Sequence, residues 1–542
     1  MIKRAIIILT LIAVVALPFL LRPKTTVIAG TDDRVVIITP HNEAIRYEFG
    51  RGFAKWYRAK TGRTVAVDWR VIGGTGEIAR FLEGEYTAGF ENLWTRKLGK
   101  PWSSEVQAGF QNARLPADAP ALVKQARAAF LESEVSCGID VFFGGGTYDF
   151  DRQAAAGRLV DSGLLQSQPA WFTDATIPQR FGGDAYWRPD GLWIGSVLSS
   201  YGIIFNRDGL KRAGIEQEPT QWSDLADPRL IGEVGLTDPT KSSSVAKAFE
   251  NMIQQQMQLR WQALQAAAPQ ANPKDLETRA MQEGWIDGLR LIQRIGANAR
   301  YFTDSSQKPP IDVAAGNCTM GLCIDFYGRQ QQEAVRRRGS LTRVDYAAPL
   351  GGSSSAVDPI ALLRGAPNRA LGVAFMEFVL SLEGQKLWSF KPQTEGGPER
   401  FALRRSPVRR DFYAHHEWKP LLSDPDDTPF EQTNPLIYRE AWTGRIFREM
   451  SFVIRIMCQD THAELKEAWR AIHAAPEPAR TQALAIMQDV SAVDYDRMNS
   501  AIRNRLGSRD KVDEVRLARE LGDLFRANYR RAEAVAKGAE AP

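Results

Sequence analysis

The sequence predicts an α/β fold in which buried strands alternate with amphipathic helices. Residues 34–39 form an apolar run that is typical of a strand buried on both faces, and residues 65–69 are predicted to be the next strand. Between them, apolar side chains recur at helical spacing from Ile45 to Trp56. A strand, a helix and a strand in succession form a βαβ unit, so we expect these two strands to be parallel.

The same alternation continues along the chain. Residues 139–143 and 319–324 are predicted to be further buried strands, and residues 196–205 form one long β-rich run. Serine residues at 242–244 are typical of a helix cap. Helices are predicted over residues 77–86, 242–265 and 371–390, and almost without interruption from about residue 417.

The composition is that of a globular protein. The chain has 542 residues, a formal net charge of +5, 44% hydrophobic residues and 25% charged residues. These values exclude a largely disordered, collagen-like or polytopic membrane protein. A charge of +5 without a dominant basic block gives no reason to expect a nucleic-acid partner. Four cysteines exclude a disulfide scaffold, and the sequence leaves their pairing open.

The N-terminus predicts export from the cytoplasm. Basic residues at positions 3 and 4 precede an uncharged apolar run over residues 5–21, which ends at Arg22. This pattern is typical of a secretory signal, with a possible cleavage site before Gly30. The run also approaches the length of a membrane-spanning helix, so an uncleaved anchor remains the alternative. Either way, we expect the folded body to lie in the periplasm.

Polar or glycine-rich turns link the predicted strands to the helices that follow them. In open α/β sheets the ligand lies at the carboxyl ends of the strands, and helix N-termini there suit an anion. These turns therefore form the candidate site. They cover residues 39–43, 73–75, 144–147, 238–244 and 325–329.

No catalytic motif is visible in the sequence. The glycine-rich turn at 144–147 matches neither a dinucleotide fingerprint nor a phosphate-binding loop, and no Gly-x-Ser-x-Gly elbow occurs. The five histidines show no zinc spacing. His41 is equally consistent with a helix-capping or packing residue and with a ligand or metal contact. Tyr327 carries the same two interpretations, and Asp325 with Arg329 is expected to form a local ion pair.

Several of these segments together resemble the solute-binding proteins of bacterial ABC importers, of the iron(III) type. The resemblance covers about residues 34–410 and implies the type II periplasmic-binding fold, in which two α/β lobes close on a ligand like a hinged clamp. The segments that carry it are residues 39–43, 139–147, 201–206, 238–243, 321–329 and 347–358. The implied domains are a signal or anchor (1–29), lobe 1 (30–198 and 344–416), lobe 2 (199–343) and a helical C-terminal extension (417–542).

The resemblance implies a ligand site between the lobes. Ligand contacts are expected from His41, Asn42, Glu43, Gly74, Thr75, Gly145, Thr147, Ser199, Ser200, Ser242, Ser243, Asp325, Tyr327 and Asp358. Ser199 and Ser200 would lie at the hinge, and Asp358 before Pro359 is also typical of a turn. The implied function is capture of a small solute and its delivery by a monomer to a membrane permease, with no catalytic step and no required cofactor.

The ligand itself stays open between two classes. Ferric binders of the family use a His, a Glu and two adjacent Tyr residues as metal ligands. Here His41 and Tyr327 match, Phe326 replaces one Tyr, and the Glu position falls in the glycines at 144–146, so Glu43 or Asp325 would have to substitute. A phosphorylated or carboxylated solute is the alternative to Fe(III). Alternative hypotheses from other functional classes are a signal-anchored sensor or interaction protein and an exported hydrolase.

Overall fold

The computed structural model describes residues 30–339, 342–431, 436–508 and 510–538. The predicted export segment, residues 1–29, lies outside these described residues. The chain forms two α/β lobes followed by a helical C-terminal region, as predicted. None of the helices in this part of the chain has both the length and the apolar character needed to cross a bilayer.

The strands form two main sheets and a short hairpin. They are β1 (Asp33–Ile38), β2 (Val65–Arg70), β3 (Val141–Phe143), β4 (Leu159–Val160), β5 (Arg180–Phe181), β6 (Asp184–Ala185), β7 (Ile194–Ser199), β8 (Tyr201–Asn206), β9 (Val234–Thr237), β10 (Ala299–Thr303), β11 (Met320–Ile324), β12 (Val344–Ala347) and β13 (Ala356–Leu363). In lobe 1 the order is β2-β1-β3-β13-β4, with β7 also paired to β13. In lobe 2 it is β10-β9-β11-β8-β12.

Both sheets are mixed. In lobe 1, β1 runs parallel to β2 and β3, which confirms the predicted βαβ unit, whereas β13 is antiparallel to β3, β4 and β7. In lobe 2, β9, β10 and β11 are parallel and β8 and β12 are antiparallel to their neighbours. The antiparallel strands are those that carry the chain between the lobes. The local hydrophobic pattern could not predict their direction.

The two crossings between the lobes can be compared with the predicted boundaries. The β-rich run at 196–205 is divided at Ser200, close to the predicted boundary at 198/199, because β7 belongs to the lobe 1 sheet and β8 to the lobe 2 sheet. The predicted end of lobe 2 at residue 343 is too early. The strand β12 pairs with β8, so lobe 2 continues through Ala347. An apolar pattern identifies a strand but not the sheet that it joins.

The α-helices surround the two sheets and make up most of the C-terminal region. They are α1 (Glu43–Thr61), α2 (Thr75–Asn92), α3 (Ser104–Gly109), α4 (Ala121–Glu132), α5 (Thr147–Ala156), α6 (Leu164–Ser167), α7 (Arg207–Arg212), α8 (Ser243–Ala267), α9 (Pro273–Ala297), α10 (Lys308–Ala315), α11 (Asp325–Arg337), α12 (Arg369–Leu380), α13 (Leu382–Ser389), α14 (Glu440–Thr443), α15 (Phe447–Ile454), α16 (His462–Ala474), α17 (Ala479–Met487), α18 (Tyr495–Arg497), α19 (Arg503–Leu506) and α20 (Lys511–Ala536).

Two predicted helical stretches are interrupted. The helix predicted over 371–390 is two helices, because the Ser381 side chain caps α13 by accepting a hydrogen bond from the backbone N–H of Gly384 at 3.2 Å. The helical C-terminal region begins later than residue 417. In the described residues between 411 and 439 only short 3-10 turns occur, and the first α-helix after them starts at Glu440. Proline, aspartate and aromatic residues in this stretch favour turns over helix.

The C-terminal helices pack on lobe 2. The long helices α8 and α9 lie side by side, and Gly288 permits their close approach, since a Cβ there would lie 2.8 Å from the Cα of Ile253. The other side of α9 is covered by the C-terminal region: Trp285 donates a hydrogen bond to the carbonyl of Val493 at 2.8 Å, and Gln293 donates one to the hydroxyl of Tyr529 at 3.0 Å. All four cysteines are free.

Candidate functional site

Two of the predicted turns meet across the junction between the lobes. The hydroxyl of Thr75, at the start of α2 in lobe 1, lies 2.9 Å from the hydroxyl of Ser243, at the start of α8 in lobe 2. The lobes are thus in contact in this structure. The two turns are 168 residues apart in the sequence, and the fold places both at the carboxyl ends of strands.

The start of α5 joins the same place. A Cβ at Gly146 would lie 3.1 Å from the hydroxyl oxygen of Ser243, and Gly145, at a φ of +125°, packs against the methyl group of Thr75. Thr147 is the first residue of α5, and the side chain of Asp149 lies in its first turn, buried. We call Thr75, Gly146, Asp149 and Ser243 the helix-start corner. Three helix N-termini, from both lobes, meet there.

A second group of polar side chains is buried beside this corner. The guanidinium of Arg405 lies 2.7 Å from Oδ2 of Asp358 and also donates to the hydroxyl of Ser199. Nε2 of His41 lies 3.5 Å from Oδ2 of Asp358, and Ser199 donates to Oδ1 of Asp358 at 3.2 Å. We call these four residues the arginine cluster. Arg405 has no exposed side-chain surface, so Asp358 is held as an ion pair inside the protein.

Aromatic rings from both lobes enclose Arg405. Its guanidinium carbon lies 4.4 Å from the ring centre of Phe326 in lobe 2 and 5.2 Å from that of Trp388 in lobe 1. Stacking on aromatic faces is a geometry that the planar guanidinium favours. The adjacent Tyr327 is half-buried, and burial raises the pKa of its phenol. The ring of Tyr327 lies 4.1 Å from that of Phe326, which is the ring that stacks on Arg405.

Burial and pairing shift the pKa values in this cluster. Burial by itself raises the pKa of Asp358, but the charge of Arg405 and hydrogen bonds from His41 and Arg405 outweigh it and lower the pKa to about 2. Burial lowers the pKa of His41, an effect that the hydrogen bond to Asp358 opposes. The imidazole is therefore neutral at pH 7. Its Nδ1 and the Nε of Arg405 are buried without a hydrogen-bond partner in the described structure.

The predicted hinge residues form a third group. The hydroxyl of Ser200 donates to Asp325 at 3.3 Å, and Asp325 also accepts from the backbone N–H of Phe326 at 2.8 Å. The predicted ion pair between Asp325 and Arg329 is long, at 3.9 Å, because Arg329 is closer to Asp427, at 3.1 Å. Burial raises the pKa of Asp325. These contacts hold the start of α11 against the crossing point of the chain.

Four predicted site residues lie in other settings in this structure, two of them as helix caps. Asn42 accepts a hydrogen bond from the backbone N–H of Ile45 at 3.1 Å and so caps α1. Ser242 caps α8 in the same way, through the backbone N–H of Val245 at 3.3 Å. The side chain of Glu43 is exposed, and Gly74 precedes α2 beside the carbonyl of Lys241. Helix capping satisfies the side chains of Asn42 and Ser242 locally, so the geometry gives no support to the ligand contacts predicted for these two residues.

The other predicted residues are brought together, and their ligand-binding role stays a prediction. In the described ranges no three His, Cys, Asp or Glu side chains are placed to hold a metal ion. A cavity of about 810 Å³ opens elsewhere, on the outer face of lobe 1, between α1 and the loop at 393–399. None of the predicted residues lines it, and its position gives it no part in the junction between the lobes.

Two residues of the junction were not predicted. Arg405 lies in a loop after the predicted lobe 1 helices, where no strand or helix period indicates a direction for its side chain. Asp149 had a usable signal, because an acidic residue in the first turn of a helix after a glycine-rich turn interacts with the helix N-terminus. Both residues are identified only when the two lobes are placed together.

A comparison with known families matches the central part of this fold. Residues 138–393 match the family of bacterial extracellular solute-binding proteins. The predicted family resemblance is confirmed. The match begins before β3 and ends after α13, so it includes all of lobe 2 and stops short of Arg405 and the C-terminal region.

Curated relatives of the solute-binding family are distant. An uncharacterized protein of Haemophilus influenzae is 26% identical over 249 residues, which are 46% of this chain and 60% of that protein. The phosphoglycerate transport regulatory protein PgtC of Salmonella typhimurium is 22% identical over 289 residues, 52% of this chain and 57% of its own. Iron uptake protein A2 of Synechocystis sp. is 23% identical over 269 residues, which are 48% of this chain and 66% of that protein. The chain thus matches less than two thirds of the length of each of these relatives.

Proposed function

We propose that this protein is the solute-binding component of an ABC import system. It captures a small acidic solute between its two lobes outside the cytoplasm and delivers that solute to a membrane permease. Binding and release are its whole activity, with no catalytic step. The match of residues 138–393 to extracellular solute-binding proteins supports this proposal.

The observation that carries the proposal is the polar junction between the lobes. Buried polar atoms are normally hydrogen-bonded, yet Nδ1 of His41 and Nε of Arg405 have no partner in the described structure, and the guanidinium of Arg405 lies against Phe326 of lobe 2. A ligand between the lobes would supply the missing partners. Closure around it would exclude water and strengthen each polar contact.

The chemistry of the junction favours an acidic organic solute. A guanidinium N–H donates a strong, charge-assisted hydrogen bond to a carboxylate or phosphate group, and Nε of Arg405 is free to donate one. Arg405 is preset for such a group because Asp358, Ser199 and two aromatic rings hold it in place. A relative named for phosphoglycerate transport is in keeping with this class.

Fe(III) is the second candidate, and one observation favours it. Nε2 of His41 and Oδ2 of Asp358 lie 3.5 Å apart, and Tyr327, whose ring lies 4.1 Å from that of Phe326, would add a phenol oxygen. A relative is named as an iron uptake protein. The positive charge of Arg405 at the same point opposes a trivalent cation, so the organic acid is preferred.

Native mass spectrometry of the exported protein, isolated gently without added ligand, tests the proposal. We expect a bound organic mass of a few hundred daltons, lost in Arg405→Met and retained in Arg34→Ala, a surface arginine whose side chain is 59% exposed. A bound mass equal to that of iron, lost in His41→Ala, would identify Fe(III) as the ligand instead of an organic acid. Absence of any bound mass, together with no compaction in small-angle scattering when candidate solutes or Fe(III) are added, would overturn the proposal.

A further inference from the structure

The helix-start corner has the geometry of an anion site. The helices α2, α5 and α8 begin at Thr75, Thr147 and Ser243, and each is at least ten residues long. Free backbone N–H groups and the helix dipoles give such an end a partial positive charge. Three of them meeting, with two hydroxyls 2.9 Å apart, would suit a phosphate or carboxylate group.

A carboxyl group of the protein already occupies this corner. Asp149 is the third residue of α5 and is 5% exposed. Its Oδ2 makes no hydrogen bond in the described structure. The pKa of Asp149 is raised, because burial outweighs the hydroxyls of Ser243 and Thr75 and the charge of Arg152, which lower it. The carboxyl group therefore faces the polar atoms of both lobes and keeps one free acceptor.

We infer that Asp149 makes this corner selective for a hydrogen-bond donor of the solute and excludes an oxyanion from it. An oxyanion beside Asp149 would meet a like charge in a place from which water is largely excluded, where repulsion is strong. A hydroxyl group would instead donate to the free Oδ2. This inference rests on the proposed function. It assigns the two ends of the solute to the helix-start corner and to the arginine cluster.

The arginine cluster provides the complementary end. Arg405 offers its unpaired Nε to an acidic group, and Asp149 accepts from a hydroxyl group. The substrate class is then an organic acid or phosphate ester that carries hydroxyl groups, with its acid directed to Arg405 and its hydroxyls to Asp149.

A purely structural role for Asp149 is the alternative. An acidic residue in the first turn of a helix stabilises that helix through its dipole. Its loss would then lower the stability of the protein and leave the selectivity among ligands unchanged. A gain of anion binding distinguishes the two roles, because lost stability cannot create a new ligand.

The test is isothermal titration calorimetry of the whole mature protein, with inorganic phosphate as the probe. We expect the wild-type protein to bind phosphate too weakly to measure, and Asp149→Asn, which keeps the shape of the side chain, to bind it at least tenfold more tightly. Asp149→Ser is the second variant, in case Asn disturbs folding. Glu91→Gln, an exposed acid at the other end of α2, is the matched control and should behave like the wild type.

Three outcomes would overturn the inference. If the wild type closes on a solute but neither folded Asp149 variant gains phosphate binding, the selectivity inference alone fails. If the wild type itself binds phosphate tightly, and the Asp149 variants bind it no better, the corner is an ordinary anion site. If no solute closes the wild type and nothing binds any variant, the proposed function fails and the inference fails with it.

Discussion

Arg405 and Asp358 neutralise each other in a place that water hardly reaches. Their side chains are 0% and 15% exposed, and their closest atoms are 2.7 Å apart. Moving a charge out of water is costly, and its opposite partner offsets that cost only while both are present. The pair therefore has a structural role beside the part in solute binding that we propose for it.

Replacing Arg405 with Met leaves the carboxylate of Asp358 buried and unpaired. We expect the free energy of unfolding to fall by ~3–5 kcal/mol. The matched control is Arg34→Ala, which breaks an exposed ion pair with Asp68 and should cost less than ~1 kcal/mol. Urea denaturation followed by circular dichroism measures both variants. Equal losses of unfolding free energy in the two variants would show that the buried ion pair stabilises the protein no more than the exposed pair does.

The lowered pKa of Asp358 predicts a specific acid dependence. The pKa is about 2 in the folded protein, against an ordinary value of 3.8. The ionised form is the one that folding favours, so its contribution to stability is full above pH 3.8 and is lost as the pH falls toward 2. We expect the difference in unfolding free energy between the wild type and Asp358→Asn to narrow over that interval. A difference independent of pH would contradict this assignment.

At the scale of elements, two neighbouring serines at the start of α8 have separate tasks. Ser242 caps its own helix, whereas Ser243 reaches across to Thr75 in the other lobe. The distinction follows from the helix start, because the N-cap side chain turns back to the free N–H groups and the next side chain points outward.

The two serines should therefore respond differently to substitution. Ser242→Ala should lower the unfolding free energy by ~1 kcal/mol, the usual cost of a lost cap, without changing the shape of the protein. Ser243→Ala should have little effect on stability and should shift the lobes toward an open arrangement, visible as a larger radius of gyration in small-angle scattering. The reverse assignment of effects would contradict the contacts described for α8.

At the scale of the whole molecule, the C-terminal region connects both lobes. Lys247 of α8 lies 3.1 Å from Asp184 of lobe 1 and 3.2 Å from Glu250 of α8. Its ammonium also lies over the ring of Tyr438, whose hydroxyl donates to Glu250 at 3.1 Å. In addition, the ring of Tyr148 in α5 lies 4.6 Å from that of Phe447 in α15. Separation of the lobes must therefore involve the C-terminal region.

Removing the positive charge of this cluster leaves two buried carboxylates close together. We expect Lys247→Met to lower the unfolding free energy by ~3–5 kcal/mol. Amide hydrogen exchange should also quicken in the β5–β6 hairpin and at residues 436–443. Lys60→Met, which breaks a pair in which the lysine is half exposed, is the control and should cost less than ~1 kcal/mol. Unchanged exchange at both segments would show that the cluster does not connect them.

The sequence by itself determined the α/β class and most of the elements. Apolar runs identified the buried strands, and helical spacing identified α1, because both signals are local and repeat within a few residues. Glycine and hydroxyl residues after the strands correctly indicated the edge of the sheets where the lobes meet. Within this edge, His41, Thr75 and Ser243 lie at turns that the strand and helix pattern indicated, whereas Asp358, which the sequence suggested for a turn, lies within β13.

Only the tertiary structure decided which of these residues meet and what accompanies them. The division of one β-rich run between two sheets at Ser200 left no mark in its apolar pattern. Arg405 lies in a loop, and its importance comes from burial against Asp358, a partner 47 positions away in the chain. Local periodicity carries no information on such long-range pairing. Ion pairs and contacts between lobes depend on distances that exist only once the chain is folded.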